Sequence, residues 1–519
     1  MAVRQKVVRI ESCFVDGVIA TLSKIEISLT PGIPTFDIIG LCDSSIRESR
    51  GRIIAAIRSC GFQIPKGHIT VNITPAYMHK SGSGFDLPIA LGILFLAGSL
   101  PYYEEVRIYA QGELSLDGEV RSTPGAILRL TEAFKDQADV VLIPEQEIYA
   151  ASCSGIRCMP VSSLREVIEI LGEYKYQGNV FPMNVPSRAP SGLIGHGIAD
   201  FKGQPKASES LVIACSGMHS ILMLGSPGCG KSFVSDIIGS LLPPPDEAEL
   251  RHQLALLELT GGAEELTARS TRPIRHIYPG VTSSKLNGKK GSAIPGELAL
   301  ADGGVLFADE ILDFSPAIID ELKLPLEQHV VRVVKDGKTV TMPASFLFVA
   351  VGNPCRCGNF YEGMSKCRCT PSARKKYMSR LSGGFLDRID LFTEMRSISD
   401  EDMKKITDGR TEEDCLLEEE ARRRIDEAWK MQAERFRWEE GRPKVFNGTC
   451  PDVNKEIFSF TEDTVRFACD AARRSGMSGR GYLKLLRVAR TIADMEGSEQ
   501  MTEKHVRKAL IYRVSEDVI

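Results

Sequence analysis

The chain has 519 residues, 43% hydrophobic and 25% charged, with a net charge of −4. This is an ordinary globular composition with room for about three domains at roughly 100–200 residues each, and it excludes a global basic field, so any nucleic-acid site must be a local patch. No apolar run reaches the roughly 20 residues that span a bilayer, Leu87 to Leu100 being the longest, and the N-terminus lacks a signal-peptide pattern. A cytoplasmic protein is therefore expected, away from membranes, with its fourteen cysteines reduced.

In chain order, residues 1–175 mix strands and helices. Val18–Ser28, Thr35–Ile39 and His68–Ile73 read as strands, and Ser45–Cys60 as an amphipathic helix. Residues 176–195 read as a linker, because Pro182, Pro186 and Pro190 recur at a spacing that neither a helix nor a central strand tolerates. Residues 196–395 alternate short apolar runs with helical stretches. Ser220–Leu224, Val305–Ala308 and Ser345–Val351 read as buried strands of a parallel sheet. From 396 to 519 the pattern is helical, with Glu412–Phe436, Thr464–Arg474, Tyr482–Met495 and Glu503–Tyr512 as helices. Gly497 stands where a C-cap is expected.

The first chemical motif is G-x-x-x-x-G-K-S, formed by Gly225, Ser226, Pro227, Gly228, Cys229, Gly230, Lys231 and Ser232. An apolar strand precedes it and a helix-compatible run, Phe233–Leu242, follows, which is the context a P-loop requires. Its glycines let backbone N–H groups curl around phosphate, Lys231 reaches the β- and γ-phosphates of ATP, and Ser232 ligates Mg²⁺. The run from Gly304 to Glu310, GVLFADE, ends a strand in two carboxylates. Asp309 is suited to the Mg²⁺ shell and Glu310 to polarising the attacking water. The strand Ser345–Val351 runs into Gly352, Asn353 and Pro354, where an Asn side chain can report on the γ-phosphate. The alternative for Asn353 is an ordinary Asn-Pro turn.

Two basic segments stand out. Arg269, Arg272, Arg275, Lys285, Lys289 and Lys290 share a stretch without acids, readable as a DNA-facing loop or as a solvated one. Val330–Met342 reads as a hairpin around Asp336-Gly337, with Lys335 and Lys338 at its tip. Cys355, Cys357, Cys367 and Cys369 form C-x-C…C-x-C, which fits either a structural Zn²⁺ held by four thiolates or a reduced loop without metal.

These motifs, together with FDLPIALGIL at 85–94, PGELALADGGVLFADE at 295–310, RLSGGFLDRIDL at 380–391 and SGRGYLKLLRVARTIAD at 478–494, resemble the AAA+ ATPases. Specifically, they resemble the magnesium-chelatase-like group called YifB or ComM. The resemblance covers nearly the whole chain. It implies an α/β architecture with a Lon-protease-like N-terminal α+β domain, an AAA+ P-loop domain and a C-terminal helical lid. It also implies that Asn353 is sensor 1, Arg388 an arginine finger reaching a neighbouring subunit, and Arg480 the sensor 2 arginine. A finger acting in trans implies a homo-oligomeric ring, usually a hexamer. The hairpin with Lys335 and Lys338 would then face single-stranded or branched DNA in a pore, through phosphate contacts. The group usually carries Leu where this chain has Ala308, a departure expected to thin packing only.

A Lon-type protease needs a Ser nucleophile and an activating Lys. Aligned on the helix that begins near Asp86, those places hold Gly84 and Ile127. Lys80, Ser81 and Ser83 lie nearby, but an apolar Ile activates nothing, so proteolysis is not expected.

Overall fold

The computed structural model describes residues 7–40, 43–78, 80, 82–172, 178–180, 196–261, 271–291, 294–335, 338–363, 365–407, 409–439 and 442–513. They fall into two compact units. Residues up to 180 and 254–261 form one, and 196–253 with 271–513 form the other. Apart from 178–180, the linker expected over 176–195 lies outside the described residues.

The first unit is built on an eight-stranded mixed sheet. Its spatial order is Asn179–Val180, Arg157–Val161, Val140–Pro144, Ile108–Ala110, Val7–Asp16, Ile19–Thr30, His68–Thr74 and Thr35–Ile39. Val7–Asp16 and Ile19–Thr30 form a continuous antiparallel hairpin closed at Asp16 opposite Ile19. Gly17 supplies, at φ 64°, the positive dihedral such a two-residue turn demands. Val18, expected to open a strand, lies in this turn, and the strand Val7–Asp16 before it is not among the expected elements. Asn179–Val180, expected to be linker, pairs with Cys158 and Arg157 at the sheet edge, and a two-residue strand carries no period that a sequence can show. Helix Asp86–Leu96 is buried along almost its whole length, which is why its sequence is apolar on every face. At the start of helix Ala126–Asp136, the N–H groups of Ala126 and Ile127 donate to the Glu258 carboxylate at 2.7 and 2.9 Å. Those orphan donors are thus satisfied by an anion at the positive end of a helix.

The second unit centres on a five-stranded parallel sheet in the spatial order Ile274–Ile277, Val305–Ala308, Leu347–Gly352, Ile221–Gly225 and Leu391–Met395. Its three middle strands are buried throughout, so they read as continuous apolar runs. Ala308 lies opposite Ala350 and Ile277 and is fully buried; its small side chain meets another small one across the strand pair. From Ile221–Gly225 the chain crosses to the edge strand Ile274–Ile277, returns through Val305–Ala308 to Leu347–Gly352, and then passes to Leu391–Met395 on the other side of Ile221–Gly225. This makes a topological switch point, and in open parallel sheets ligands bind at the carboxyl ends of the strands beside such a point.

Helices after residue 396 pack on the same core. Glu412–Phe436 starts with a capping box between Thr411 and Asp414. Trp429 Nε1 and Gln432 Nε2 from this helix donate to the last carbonyls of helix Pro205–Gly217, Cys215 O at 3.0 Å and Ser216 O at 2.8 Å. Gly497, at φ 66°, follows the last turn of Gly479–Met495, as a left-handed C′ glycine does. Glu209 on Pro205–Gly217 takes two bonds from Arg424, at 2.6 and 2.8 Å, and one from Lys508 at 3.0 Å. Burial opposes its ionisation, but the two cations outweigh it and hold the carboxyl at about 2. A depressed carboxylate stabilises above its unfolded value and loses that stabilisation as pH falls through the folded one. Packing of these helices is therefore expected to weaken by on the order of 2–3 kcal/mol between about pH 4.5 and 2. Circular dichroism of Glu209→Gln against wild type checks this, since the variant should lack that part of the acid transition.

Candidate functional site

The carboxyl ends of three adjacent parallel strands bring the P-loop, Asp309–Glu310 and Asn353 to one place. The P-loop leaves its strand at Gly225. A Cβ there would stand 2.5 Å from Cys229 Sγ and 2.7 Å from Met395 Cβ, so only glycine lets the loop curl this tightly. Gly228 (φ 76°) and Gly230 (φ 94°) take the left-handed turns. Nothing lies within 4 Å of the point where a Cβ would sit on Gly228, so the loop opens onto free space. A short 3₁₀ turn, Lys231–Phe233, leads into helix Val234–Leu241, and the first N–H groups of that helical run point back at the loop.

Lys231 folds over the loop it belongs to. Its ammonium donates to Gly225 O at 2.7 Å, Ser226 O at 3.0 Å and Asn353 Oδ1 at 3.0 Å. Burial lowers its pKa, while Asp309 and Glu310 pull the other way. Lys231 and Asn353, 122 residues apart, are thus directly joined. Asp309 and Glu310 end the neighbouring strand, and among the described residues no side chain hydrogen-bonds to either carboxylate. Glu310 is exposed and takes a left-handed backbone, φ 53° and ψ 45°, which costs a non-glycine residue about 1–2 kcal/mol. This donor set suits a nucleoside triphosphate with Mg²⁺. The glycine cradle and Lys231 match its phosphates, and two unengaged carboxylates match the metal and a water.

The two implied arginines meet each other rather than the cradle. Arg388 donates to Lys323 O at 3.0 Å, to Gly384 O and to Glu327. Arg480, at the start of helix Gly479–Met495, donates to the same Glu327 at 2.7 Å. Asp390, two residues beyond Arg388, is buried and takes Lys484 Nζ at 2.7 Å and the Ser220 N–H at 3.0 Å, which fixes the backbone that carries Arg388. Lys484 and neighbouring His219 hold the Asp390 carboxyl well below the usual range against its burial.

Sequence reasoning missed Glu327, and it missed Glu362. The Glu362 carboxylate accepts Ser226 Oγ at 2.8 Å and the Ser397 N–H at 2.8 Å, and the Ser397 bonds hold its pKa down. It also missed the aromatic flank of the cradle. Phe201 lies 3.1 Å from where a Gly230 Cβ would be, and Phe233 meets His196 edge-on at 4.2 Å. No local motif signals these residues, since each acts through a contact distant in sequence.

The four cysteines are brought together, all four sulfurs within 4.8 Å of one another. The Asn359 and Arg368 N–H groups hold the Cys357 thiol down, at about 6, whereas burial pushes Cys355 up to about 12. Beside Cys357, Gly358 (φ 79°) touches the P-loop, and a Cβ there would stand 2.5 Å from Pro227 Cδ. Gly358→Ala is therefore expected to cost at least about 1 kcal/mol from its dihedral alone and to displace Pro227. Thermal unfolding and titration with a fluorescent ATP analogue should both register it.

The hairpin forms as expected, Val330–Lys335 against Lys338–Pro343. Its Asp336-Gly337 tip and the side chains of Lys335 and Lys338 lie outside the described residues. The other basic stretch is not one open loop. Arg272 is buried, pairs with Glu249 at 2.8 Å and lies 5.0 Å over Trp429. Arg275 belongs to strand Ile274–Ile277 and pairs with Glu297 at 2.7 Å. Both cations are consumed by internal acids, while Lys285, Lys289 and Lys290 are exposed. In the first unit Ile127 is fully buried. The Lys80 ammonium is buried on Pro75 O and Met78 O, and Ser83 Oγ donates to Glu113; Ser81 lies outside the described residues.

Three family matches cover this chain: subunit ChlI of Mg-chelatase over residues 25–147, magnesium chelatase subunit ChlI over 197–403, and the ChlI C-terminal region over 418–513. An Escherichia coli K12 protein named YifB is 31% identical over 96% of this chain and 95% of its own. The chain belongs to the magnesium-chelatase-like YifB/ComM family, of the AAA+ type. The competence protein ComM of Haemophilus influenzae is 30% identical over 96% of this chain and 95% of its own length. The magnesium-chelatase 38 kDa subunit of Cereibacter sphaeroides is 27% identical over 61% of this chain and 91% of its own. Among the described residues no helix is long and apolar enough to cross a membrane.

Proposed function

We propose that this family member is a cytoplasmic, ring-forming ATPase, usually hexameric in its group, that uses ATP hydrolysis to remodel single-stranded or branched DNA. The observation that carries the ATPase reading is the convergence of Lys231, Asp309, Glu310 and Asn353 at the ends of adjacent strands. Gly225 to Ser232 hold the phosphates. Ser232 and Asp309 hold Mg²⁺, which when bound neutralises charge on the β- and γ-oxygens. Glu310 accepts a proton from the attacking water, and Asn353, already on Lys231, keeps that ammonium at the γ-phosphate position. Arg388 and Arg480 complete the charge around the transferring group, Arg388 from a neighbouring copy. Zn²⁺ in the four-cysteine knot is the second metal of this reading.

The DNA part draws on the resemblance to ComM and on the basic hairpin carrying Lys335 and Lys338. On this reading the N-terminal Lon-like domain, residues 1–175, serves assembly or DNA engagement without proteolysis, since Gly84 and Ile127 stand at the places of nucleophile and base. Residues 196–395 act as the AAA+ core and 396–519 as its helical lid. The test is strand displacement on three- and four-way DNA junctions, with ATPase rates measured with and without forked DNA. Wild type should be stimulated and Lys231→Ala inert. The chelatase-named relative favours a second reading, metal insertion into a porphyrin. Loss of a metallated tetrapyrrole on deletion, with no stimulation by DNA, would replace the first reading by the second.

A further inference from the structure

The loop that leaves the strand Leu347–Gly352 carries both the cysteine cluster and the back wall of the phosphate cradle. Its Sγ–Sγ distances are 3.4 Å for Cys355–Cys357, 3.8 Å for Cys355–Cys367 and 3.7 Å for Cys357–Cys367. A disulfide needs about 2.0 Å, and all four thiols are free. Four thiolates at about 2.3 Å from one tetrahedral Zn²⁺ stand about 3.8 Å from one another. Three of the sulfurs are therefore already spaced as corners of such a site, and that of Cys369 lies within 4.8 Å of each of them, all from one short loop. Among its described residues the loop's regular structure is one 3₁₀ turn, Phe360–Glu362, and Arg374 lies over the Phe360 ring at 4.5 Å and donates to Cys369 O at 3.1 Å.

The same loop meets the P-loop side at three places. Asn353, two residues before Cys355, accepts from Lys231. Gly358, beside Cys357, lies so close to Pro227 that no side chain fits between them. Glu362, midway between the cysteine pairs, accepts Ser226 Oγ and the Ser397 N–H, joining the cradle to the exit of strand Leu391–Met395. Each contact lies within five residues of a cysteine. If the sulfurs part, Gly358 and Glu362 lose their position together.

We propose that Cys355, Cys357, Cys367 and Cys369 bind one Zn²⁺ whose occupancy holds Gly358 and Glu362 against Pro227 and Ser226, so that the metal controls how well the cradle binds phosphate. This rests on the ATP-site reading for its consequence, but its structural part stands apart from it. Glu362 is a positioning residue here, acting on phosphate only through Ser226.

The test uses the full chain. Zinc content is measured by metal analysis, then the metal is removed with a chelator under reducing conditions and restored. One zinc per chain is expected. Removal should speed hydrogen exchange in the segment 225–232 about tenfold, through loss of local protection. It should weaken binding of a fluorescent ATP analogue by about the same factor, the loss expected of one hydrogen bond to a charged group. Added zinc should reverse both. Glu362→Gln should keep its zinc yet show the fast exchange and weak binding, and further zinc removal should then add little. A chain that retains no zinc when one equivalent is supplied overturns the proposal. So does a zinc-loaded chain whose cradle exchange is unmoved by removal, or a Glu362→Gln variant indistinguishable from wild type. Failure of the wild type to bind the ATP analogue overturns the ATP reading instead, and the exchange measurement still decides the metal's role.

Discussion

Glu310→Gln is expected to bind ATP as tightly as the wild type and to hydrolyse it about 10²–10⁴-fold more slowly, the range for loss of a general base. The residue sits one step past Asp309, in a left-handed conformation, with its carboxylate exposed. Ile311 and Leu312, both fully buried, pin the backbone on its far side, so the conformation is imposed by packing rather than by local preference. Gln keeps the shape and removes only the ability to take a proton, so fold and affinity should survive. Lys231→Ala should differ in kind. It takes the only ammonium from a cradle where that group already bonds Gly225 O, Ser226 O and Asn353 Oδ1, so binding itself should fail. Steady-state turnover together with nucleotide retained through gel filtration separates the two. Wild-type turnover by Glu310→Gln would remove Glu310 from the chemistry and leave Asp309 as the only acid of the pair to account for it.

How far the sequence reached follows from how local each signal is. The strand–loop–helix around Gly225–Ser232 and the strand ending at Asp309 carry their context within a dozen residues, and both stand where that context put them. Helix Glu412–Phe436 has the bounds its charged helical pattern indicates, and Thr411 and Asp414 cap its start. What escaped was whatever long-range partners decide. Strand Ile274–Ile277 is four residues long and only half buried, and its place at the sheet edge is set by pairing with Val305–Ala308. Arg272 and Arg275 read as part of a DNA-facing or solvated loop because Glu249 and Glu297, which neutralise them, lie more than twenty residues away in the chain. Glu362 carries no local signal, because its partner Ser226 lies 136 residues away in the chain.

Arg388→Ala is expected to lower ATP turnover about 10³–10⁵-fold, the range for loss of an arginine finger, with nucleotide binding retained. In this single chain the guanidinium is held by Lys323 O, Gly384 O and Glu327, the acid it shares with Arg480. Glu327 is 39% exposed and the Arg388 side chain 15%, so moving Arg388 onto a neighbour's phosphate must exchange this ion pair and its bonds to Lys323 O and Gly384 O for the phosphate charge. The buried Asp390–Lys484 pair keeps its backbone in place. Mixing decides whether the site is shared. Arg388→Ala subunits retain Lys231, and Lys231→Ala subunits retain Arg388. If the finger acts in trans, two inactive variants combined should regain turnover, because some interfaces pair an intact cradle with an intact finger. If Arg388 serves its own cradle, every interface stays dead at every mixing ratio. Glu327→Gln sharpens the distinction. It loosens both arginines without removing either, so it should leave turnover near wild type, or raise it, if Glu327 only parks them. A loss as deep as that of Arg388→Ala would make Glu327 part of the assembled site.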